Sequence, residues 1–214
     1  MLYFDHNATA PLHPAARAAW LEVVDSAWHN PSGLYAPAAA ARGRLEDARE
    51  RLGDLLDAEP ERIVFTAGAT AAANLLARWL VRQASEQGPV LISGIEHPCV
   101  ADSLAAACGD RLAELPVDVQ GVVDLDAVTD GRVAPLPKMV AVMAASNESG
   151  VLQPWQDIAN FCRQQGVAFF CDASQWLGKC TAKGLGACDW LIGSSHKFGG
   201  PRGTGFLVVP EGLP

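Results

Sequence analysis

Residues 138–145 are Lys-Met-Val-Ala-Val-Met-Ala-Ala, a nearly unbroken apolar run between Pro137 and Ser146. A strand without polar alternation is buried on both faces, which is typical of parallel sheets covered by helices. Similar short apolar runs alternate along the chain with segments whose apolar residues follow a helical period. The predicted strands are 62–66, 89–93, 112–116, 138–145 and 167–171, and the predicted helices are 70–82, 98–108 and 155–165. This alternation predicts an α/β fold with a mainly parallel mixed sheet flanked by helices.

Two further segments depart from this alternation. Residues 36–56 run from an alanine-rich stretch into RGRLEDARERLGDLL, whose apolar spacing and abundant charge predict an amphipathic surface helix. Further along the chain, the predicted strands 189–193 and 205–209 are joined by a glycine-rich loop with no room for a helix. Parallel neighbours need a long crossover connection, so we predict an antiparallel hairpin there.

Length, charge and cysteine spacing argue against several classes of protein. The 214 residues are enough for one large domain or two small ones, and a net charge of -8 with only four lysines argues against nucleic acid as a partner. The six cysteines form no C-x-x-C pair and no zinc-ligand spacing, so we interpret them as reduced thiols and expect no metal. No apolar run approaches the roughly 18 residues of a membrane helix. The start also lacks the basic residues of a signal peptide, so we expect a soluble, cytoplasmic protein with no membrane partner.

Polar residues follow the carboxyl ends of the predicted strands. Open α/β sheets bind ligands at that edge, so five clusters at equivalent places predict a ligand site there. The clusters are 66–70, 96–97, 146–148, 172–175 and 194–197.

Lys197 is the lysine whose surroundings favour covalent chemistry. It follows two serines and His196 and precedes Phe198-Gly199-Gly200, so it lies in a loop where backbone can approach a ligand closely. A Schiff base with a carbonyl cofactor needs such a lysine. The other three lysines have no comparable surroundings, and we interpret them as solvated surface charges: Lys138, Lys179 and Lys183.

Three other positions each permit a functional and an ordinary interpretation. Asp172 ends a buried strand, where its charge would need a partner such as a protonated pyridine nitrogen. The ordinary interpretation is that Asp172 caps a helix or a turn. Residues 68–70 join a strand to a helix, so their amides could receive a phosphate or form an ordinary turn. His97 could stack on an aromatic ring and exchange protons, form a loop hydrogen bond, or bind a metal; its spacing from the other histidines makes metal the weakest of these.

Together these segments resemble the class V aminotransferase family, and within it the cysteine desulfurases of the nitrogen-fixation and iron–sulfur-assembly type. The resemblance extends over nearly the whole chain and is specific in its order and spacing. Its motifs are YFDHNAT at 3–9, NPS at 30–32, IVFTAGAT at 63–70, EHP at 96–98, NESGV at 147–151, DASQ at 172–175 and SSHKFGGP at 194–201.

The resemblance implies a fold of the type I pyridoxal 5'-phosphate (PLP) transferases and a site for PLP. Lys197 would form the Schiff base and move protons, Asp172 would pair with the pyridine nitrogen, and His97 would stack on the ring. Gln175 would hydrogen-bond the phenolic oxygen of the cofactor. Asn147 would lie against the same cofactor oxygen and the substrate carboxylate. The implied catalytic residues are Lys197 and His97, and the implied cofactor-binding residues are Ala69, Thr70, His97, Asn147, Asp172, Gln175, Ser194, Ser195, His196 and Lys197, of which Ala69, Thr70, Ser194 and His196 would hold the phosphate.

The reaction implied by the resemblance converts L-cysteine to L-alanine, with the substrate sulfur passed to an enzyme cysteine as a persulfide. Its partners would be L-cysteine or a related amino acid, a sulfur-acceptor protein and a second copy in a homodimer. Alternatives are a selenocysteine lyase or another class V aminotransferase, and a non-catalytic remnant that binds PLP or a partner. We expect residues 1–214 to form the PLP-binding large domain, with an N-terminal segment at 1–30 and without the family's small domain, persulfide cysteine and carboxylate-binding arginine.

Ala67 and Ala71 replace the serine and glutamate common in the family's phosphate loop.

Overall fold

A seven-stranded mixed sheet forms the centre of the protein. The structure is a computed structural model that describes residues 2–83, 88–124, 126 and 136–213. The strand order across the sheet is β1-β7-β6-β5-β4-β2-β3. The predicted domain 1–214 also includes Met1, residues 84–87, 125 and 127–135, and Pro214, which lie outside the described residues. The strands are β1 (Ile63–Thr66), β2 (Val90–Ser93), β3 (Leu112–Leu115), β4 (Met139–Ala141), β5 (Ala168–Asp172), β6 (Trp190–Ser194) and β7 (Gly205–Val208).

Strand directions confirm the prediction of a mainly parallel sheet. The neighbouring pairs from β3 through β2, β4 and β5 to β6 are all parallel. Strand β7 runs antiparallel to both β6 and β1, so the predicted hairpin at the end of the chain is confirmed. Because β1 and β6 are each antiparallel to β7, they point the same way, and their carboxyl ends lie at the same edge of the sheet as those of the other parallel strands.

Five helices accompany the sheet in the described part of the chain, and apolar residues of all but the first cover both of its faces. Val140 of β4 belongs to the core cluster that contains Trp155, whereas its neighbours Met139 and Ala141 belong to the cluster that contains Leu76. Successive side chains of a strand point to opposite faces, so an unbroken apolar run is what a strand covered on both faces requires. The helices are α1 (Pro14–Ser26), α2 (Ala36–Leu56), α3 (Ala69–Arg82), α4 (Pro98–Cys108) and α5 (Trp155–Gln165).

The predicted strand 138–145 is longer than the one observed. Strand β4 ends at Ala141, although the amides of Val142 and Ala144 still donate to Phe170 and Asp172 at 3.0 and 2.9 Å. The chain beyond β4 is therefore buried and extended, but it leaves the regular ladder to form a wall of the cavity described below. The helix predicted at 36–56 is confirmed as α2, and helix α1 was not predicted, since none of its residues is buried and no apolar stripe marks it.

No helix in the described ranges is both long and apolar enough to span a membrane.

Candidate active site

A cavity of about 740 Å³ opens at the carboxyl edge of the sheet, where the five polar clusters meet. This volume is in the range of small-molecule and cofactor sites, and the position is the one at which open α/β sheets bind ligands. Each of the clusters after β1, β2, β4, β5 and β6 contributes to the lining. The polar and reactive side chains that line it are Thr9, Thr70, Asn74, His97, Cys99, Asn147, Asp172, Ser174, Gln175, Ser194, His196, Lys197 and Arg202.

Lys197 is held at the cavity by a turn and by the N-terminal segment. It ends the short 3₁₀ turn Ser195–Lys197 that follows β6 directly. Its Nζ donates a hydrogen bond to the carbonyl oxygen of Asn7 at 2.8 Å. The segment that carries Asn7 is fixed in turn by backbone bonds from Ala10 to His196 and from His13 to Gly199, both at 2.8 Å. The amine is therefore anchored through a single neutral acceptor that it can exchange for a ligand.

Asp172 is a buried carboxyl group at the end of β5, with 6% of its surface exposed. Burial raises its pKa above the ordinary value, while hydrogen bonding from Ser174 and the positive charges of His97 and Lys197 oppose that rise. The backbone amide of Ser174 donates to Oδ1 at 2.8 Å. A carboxylate in this position is stabilised by a cationic partner, and a protonated pyridine nitrogen is one.

The turn between β1 and α3 forms a concave lining of backbone amides. Gly68 has φ +142°, a conformation that side chains rarely permit, and the hydroxyl of Thr66 bonds to both its amide and its carbonyl group. Helix α3 begins directly afterwards at Ala69, so its first N–H groups have no acceptor within the helix. Unpaired amides together with the positive end of a helix dipole favour a phosphate.

Side chains from β6 and the N-terminal segment complete this end of the cavity. Ser194 ends β6, and its hydroxyl lies 3.4 Å from the position that a Cβ on Gly68 would occupy. His196 Nδ1 is 3.2 Å from the Thr9 hydroxyl. Burial lowers the pKa of His196, and the nearby charges of Lys197 and Arg202 lower it further. The ring therefore stays neutral over a wider pH range than a free histidine and offers one N–H donor.

His97 makes the local hydrogen bond that was one of the interpretations left open by the sequence. Its Nδ1 accepts from the amide of Cys99 at 3.1 Å, so the ring is the N-cap of α4 and makes a local hydrogen bond. The same side chain also lines the cavity. Because Nδ1 is an acceptor, Nε2 is the ring nitrogen that carries the proton in the neutral form.

Gln175 and Asn147 are joined by the N-terminal segment. Gln175 Nε2 donates to the Asn7 carbonyl at 2.8 Å, and Asn7 Nδ2 donates to the Asn147 carbonyl at 3.1 Å. The carbonyl of Asn7 thus accepts from both Gln175 and Lys197, which ties the polar clusters after β4, β5 and β6 to a segment far away in sequence.

The structure brings nine of the ten predicted site residues to the cavity: Ala69, Thr70, His97, Asn147, Asp172, Gln175, Ser194, His196 and Lys197. Ser195 lies outside the lining, and its hydroxyl bonds to the carbonyls of Pro201 and Thr204. These bonds shape the glycine-rich loop after Lys197. A direct contact of Ser195 with cofactor stays a prediction, as do the individual roles of the other nine residues.

Several residues of the site were not assigned a role from the sequence. Asn7 was recognised only as part of a motif, and its partners Gln175 and Lys197 are 168 and 190 positions away. Lys179 was interpreted as a surface charge, yet its Nζ donates to Gln175 Oε1 at 2.7 Å. Glu96, whose carboxyl group bonds Ser93 and Met143, was marked in the sequence only by its position directly before His97.

Glu96 ties together the ends of two parallel strands beneath the cavity. Its Oε1 accepts from the Ser93 hydroxyl at 2.5 Å and from the Met143 amide at 2.6 Å. Burial raises the pKa of Glu96 to about 8, although these two hydrogen bonds lower it. Met143 and the adjacent His97 both line the cavity, so a carboxyl group that is largely protonated at neutral pH contacts a residue of its wall.

Within the described ranges, no group of three or more histidine, cysteine, aspartate or glutamate residues could hold a metal ion.

The described side chains fit PLP in three respects. A lysine amine, a buried acid with a raised pKa and a helix N-terminus with free amides line one cavity. These are the groups that would meet the aldehyde, the pyridine nitrogen and the phosphate of the cofactor. The fold and the site therefore define the chain as an α/β protein of the type I PLP-dependent transferases.

Comparison with known families agrees with this class. The sequence pattern of the family Aminotransferase class-V matches residues 2–213. The chain belongs to this family, whose members depend on PLP.

Curated relatives with similar sequences are named as cysteine desulfurases. The chain is 34% identical to the probable mitochondrial cysteine desulfurase of Dictyostelium discoideum, over 97% of this chain and 47% of that protein. It is also 34% identical to a cysteine desulfurase of Frankia sp. (strain EuIK1), over 99% of this chain and 53% of that protein. The chain thus spans about half the length of the curated relatives it matches.

Solved structures with the same fold include a NifS-like protein and SspA in complex with cysteine. The first superposes with a TM-score of 0.91 at 27% identity, covering all of this chain and 60% of that one. The second superposes with a TM-score of 0.88 at 29% identity, covering 98% of this chain and 61% of that one.

Proposed function

We propose that this chain is the PLP-binding half of a cysteine desulfurase and that it binds the cofactor covalently through Lys197. The observation that carries the proposal is that the Lys197 amine, the buried Asp172 carboxyl group and the free amides at the start of α3 line one cavity. Relatives named as cysteine desulfurases support the substrate, L-cysteine, and one structural neighbour is described in complex with cysteine.

Bound PLP would supply an electron sink for negative charge at the carbon beside the substrate's amino group. Asp172 would keep the pyridine nitrogen protonated, because a cation beside the buried carboxylate relieves the penalty of burying either charge alone. Lys197, once released from covalent attachment, would carry a proton at Nζ, where the Asn7 carbonyl can accept its hydrogen bond. The first amides of α3 would bind the phosphate, and His97 would contact the ring.

The raised pKa values of four of the six cysteines favour a sulfur-accepting thiolate from outside these residues. Burial, together with the Asp172 charge, raises the pKa of Cys99, which lines the cavity, to about 11. Burial also raises the pKa of Cys162 to about 12 and that of Cys171 well above its ordinary value. A protonated thiol is a poor nucleophile. We therefore propose that residues 1–214 form one cofactor-binding domain that needs a further cysteine for sulfur transfer.

The homodimer, the sulfur-acceptor protein and a role in iron–sulfur cluster assembly are predictions supported by the resemblance of the chain to the cysteine desulfurases. Cytoplasmic location is likewise a prediction, and the names of similar relatives include mitochondrial and mitosomal enzymes.

The test of the proposed function is covalent capture of PLP. We expect the purified chain to develop an imine absorbance band with PLP, and borohydride to fix the cofactor to a peptide that contains Lys197. Lys197→Ala should lose the covalent product, whereas Lys183→Ala, at an exposed lysine, should retain it. Reduction that labels Lys183 or Lys179 as strongly as Lys197 would contradict the proposal.

Turnover is tested separately with L-cysteine. We expect the PLP-loaded chain to release alanine only when an external thiol such as dithiothreitol is supplied, because the described cysteines include no activated thiolate in the cavity. A persulfide found on the chain when alanine is released without added thiol would show that a cysteine of this chain accepts the sulfur.

A further inference from the structure

Lys179 reaches the candidate active site from a position that is largely exposed to solvent. A series of tight turns after β5 places it four residues beyond Gln175, and its own amide bonds to the Trp176 carbonyl at 3.2 Å. Its Nζ donates to Gln175 Oε1 at 2.7 Å. Burial and the nearby charge of Lys197 lower the pKa of Lys179. The bond to Gln175 therefore holds the Lys179 ammonium where the charge of Lys197 opposes it.

The Gln175 amide is engaged at both of its ends. The residue is 7% exposed, Oε1 accepts from Lys179, and Nε2 donates to the Asn7 carbonyl at 2.8 Å. The two ends of an amide are almost equal in size, so packing alone distinguishes them poorly. An ammonium group has donors and no acceptor, so Lys179 can bond Oε1 and not Nε2.

We propose that Lys179 is a positioning residue that fixes the Gln175 amide with Nε2 directed to Asn7 and the cofactor cavity. The inference rests on the proposed function, because the group to be oriented is a hydrogen-bond donor for a PLP oxygen. Nε2 has two hydrogens, of which one bonds Asn7 and the other is available to a bound ligand. With the amide reversed, its oxygen lone pairs would face the negatively charged phenolic oxygen and repel it.

Asn7 extends the same chain of hydrogen bonds to the covalent site. Its carbonyl accepts from Gln175 and from Lys197, both at 2.8 Å. A reversed Gln175 amide would place two carbonyl oxygens face to face at this point. Lys179 therefore acts on the cofactor through Gln175 and on the Lys197 anchor through Asn7, without contacting the cofactor itself.

The test compares PLP binding by Lys179→Met and Lys179→Arg, with Lys183→Met as the control for loss of a nearby exposed charge. We expect Lys179→Met to weaken PLP binding about tenfold, the effect of one hydrogen bond to a charged group. It should also shift the absorbance maximum of the bound cofactor, because the phenolic oxygen loses its donor. Lys179→Arg, which retains a donor, should restore both properties, and Lys183→Met should change neither.

A double-variant cycle separates positioning from a general loss of charge or stability. In a Gln175→Ala background, the additional change Lys179→Met should have no further effect on PLP affinity or absorbance maximum. The same loss in both backgrounds, or wild-type behaviour of Lys179→Met, would overturn the inference while leaving the proposed function intact.

A cofactor-free measurement keeps the inference testable if PLP does not bind. The ¹⁵N side-chain amide resonances of Gln175 should move in Lys179→Met and stay in place in Lys183→Met, since an ammonium bond to Oε1 polarises the amide. Failure of the wild-type chain to bind PLP would reject the proposed function alone. Unmoved Gln175 resonances in Lys179→Met would reject the positioning of the amide by Lys179.

Discussion

Glu96 illustrates how burial gives a residue a chemistry that its sequence context does not show. Two donors, the Ser93 hydroxyl and the Met143 amide, bond its Oε1, but burial still raises its pKa to about 8. Protonation therefore costs less than leaving a buried charge without a cationic partner. The neutral acid can bridge β2 to the chain after β4 without adding a second negative charge beside Asp172.

This predicts a pH-dependent difference in stability between the wild type and Glu96→Gln, which keeps an acceptor oxygen but cannot ionise. Between the ordinary pKa of 4.5 and the folded value of about 8, the folded protein holds a proton that the unfolded chain has lost. Stability of the wild type should therefore fall relative to Glu96→Gln as the pH rises through this range, by up to about 1.4 kcal/mol per pH unit. Urea unfolding at pH 5, 6, 7, 8 and 9 measures the difference.

The difference should be constant below about pH 4.5, where both side chains are neutral in both states, and constant again above about pH 8. Glu61→Gln, at an exposed carboxylate, is the matched control and should show a much smaller pH dependence. A difference between wild type and Glu96→Gln that does not change with pH would contradict the raised pKa.

Individual site residues were predictable where their local pattern differs from the ordinary use of that residue type. Lys197 stands among serines, histidine and glycines, and Asp172 ends a buried strand, so each is conspicuous in sequence. Lys179 resembles any surface lysine in sequence, because the turn that returns its Nζ to Gln175 has no periodic signal. The role of Asn7 could not be predicted for a different reason, because its contact with Gln175 joins residues 168 positions apart in the sequence.

At the scale of elements, the turn that would hold the phosphate depends on close backbone contact between two strands. A Cβ on Gly205 of β7 would lie 2.6 Å from the Gly193 carbonyl oxygen and 2.6 Å from Gly68 Cα. Neither of these atoms belongs to a flexible side chain, so the added methyl group must displace backbone. We predict that Gly205→Ala destabilises the chain by about 1–3 kcal/mol and also weakens PLP binding, because the displaced backbone includes the turn at Gly68.

Urea unfolding and a PLP titration check this prediction, with Gly43→Ala as the control. Gly43 lies at an exposed position of α2, where a Cβ would meet nothing within 4 Å. The control should be stabilised by about 0.5–1 kcal/mol, since alanine favours a helix, and should bind PLP as the wild type does. Equal stability of Gly205→Ala and the wild type would show that the contact relaxes without strain.

Arg62 joins the start of β1 to the base of the β6–β7 hairpin. Its guanidinium donates to the carbonyls of Val209, Gly186, Cys188 and Asp189 at 2.7, 2.8, 2.7 and 3.3 Å. Arg62→Met would leave these half-buried acceptors without their charged donor, and we predict a loss of about 2 kcal/mol in unfolding free energy.

Chemical denaturation of Arg62→Met, Arg62→Lys and the exposed control Arg51→Met tests the role of the planar guanidinium. A lysine ammonium cannot reach four separated carbonyls at once, so Arg62→Lys should recover part of the loss and Arg51→Met should lose little. Full stability of Arg62→Met would mean that water replaces the guanidinium at all four carbonyls.

Elements with a strong buried pattern were predicted to within a residue or two, and the exceptions have physical causes. Helices α4 and α5 begin and end where their apolar spacing and flanking residues indicate. Hydropathy cannot show where the 138–145 run leaves the sheet, because Val142 and Met143 are as buried as the strand itself. Helix α1 has no buried residue, so its formation depends on Pro14 and on the His13 cap more than on an apolar stripe.

At the scale of the whole molecule, residues 2–35 combine backbone bonds to the loop of Lys197 with exposed apolar side chains. The backbone of this region is bonded to the loop of Lys197 through Ala10 and His13. Its most exposed apolar side chains are Leu2 at 83%, Phe4 at 85%, Trp28 at 71% and Leu34 at 100%. We predict that these side chains pack against a second copy of the chain.

The chain should therefore associate in a concentration-dependent way that sedimentation velocity can measure. Removing apolar area from the contact lowers its favourable burial, so Trp28→Ser with Leu34→Ser should shift the equilibrium towards monomer. Leu55→Ser, at an isolated exposed position of α2, is the matched control and should leave the association unchanged. If the chain stays monomeric at every concentration, a second copy does not cover the exposed side chains of residues 2–35. If Leu55→Ser shifts the equilibrium as much as Trp28→Ser with Leu34→Ser does, the contact lies outside residues 2–35.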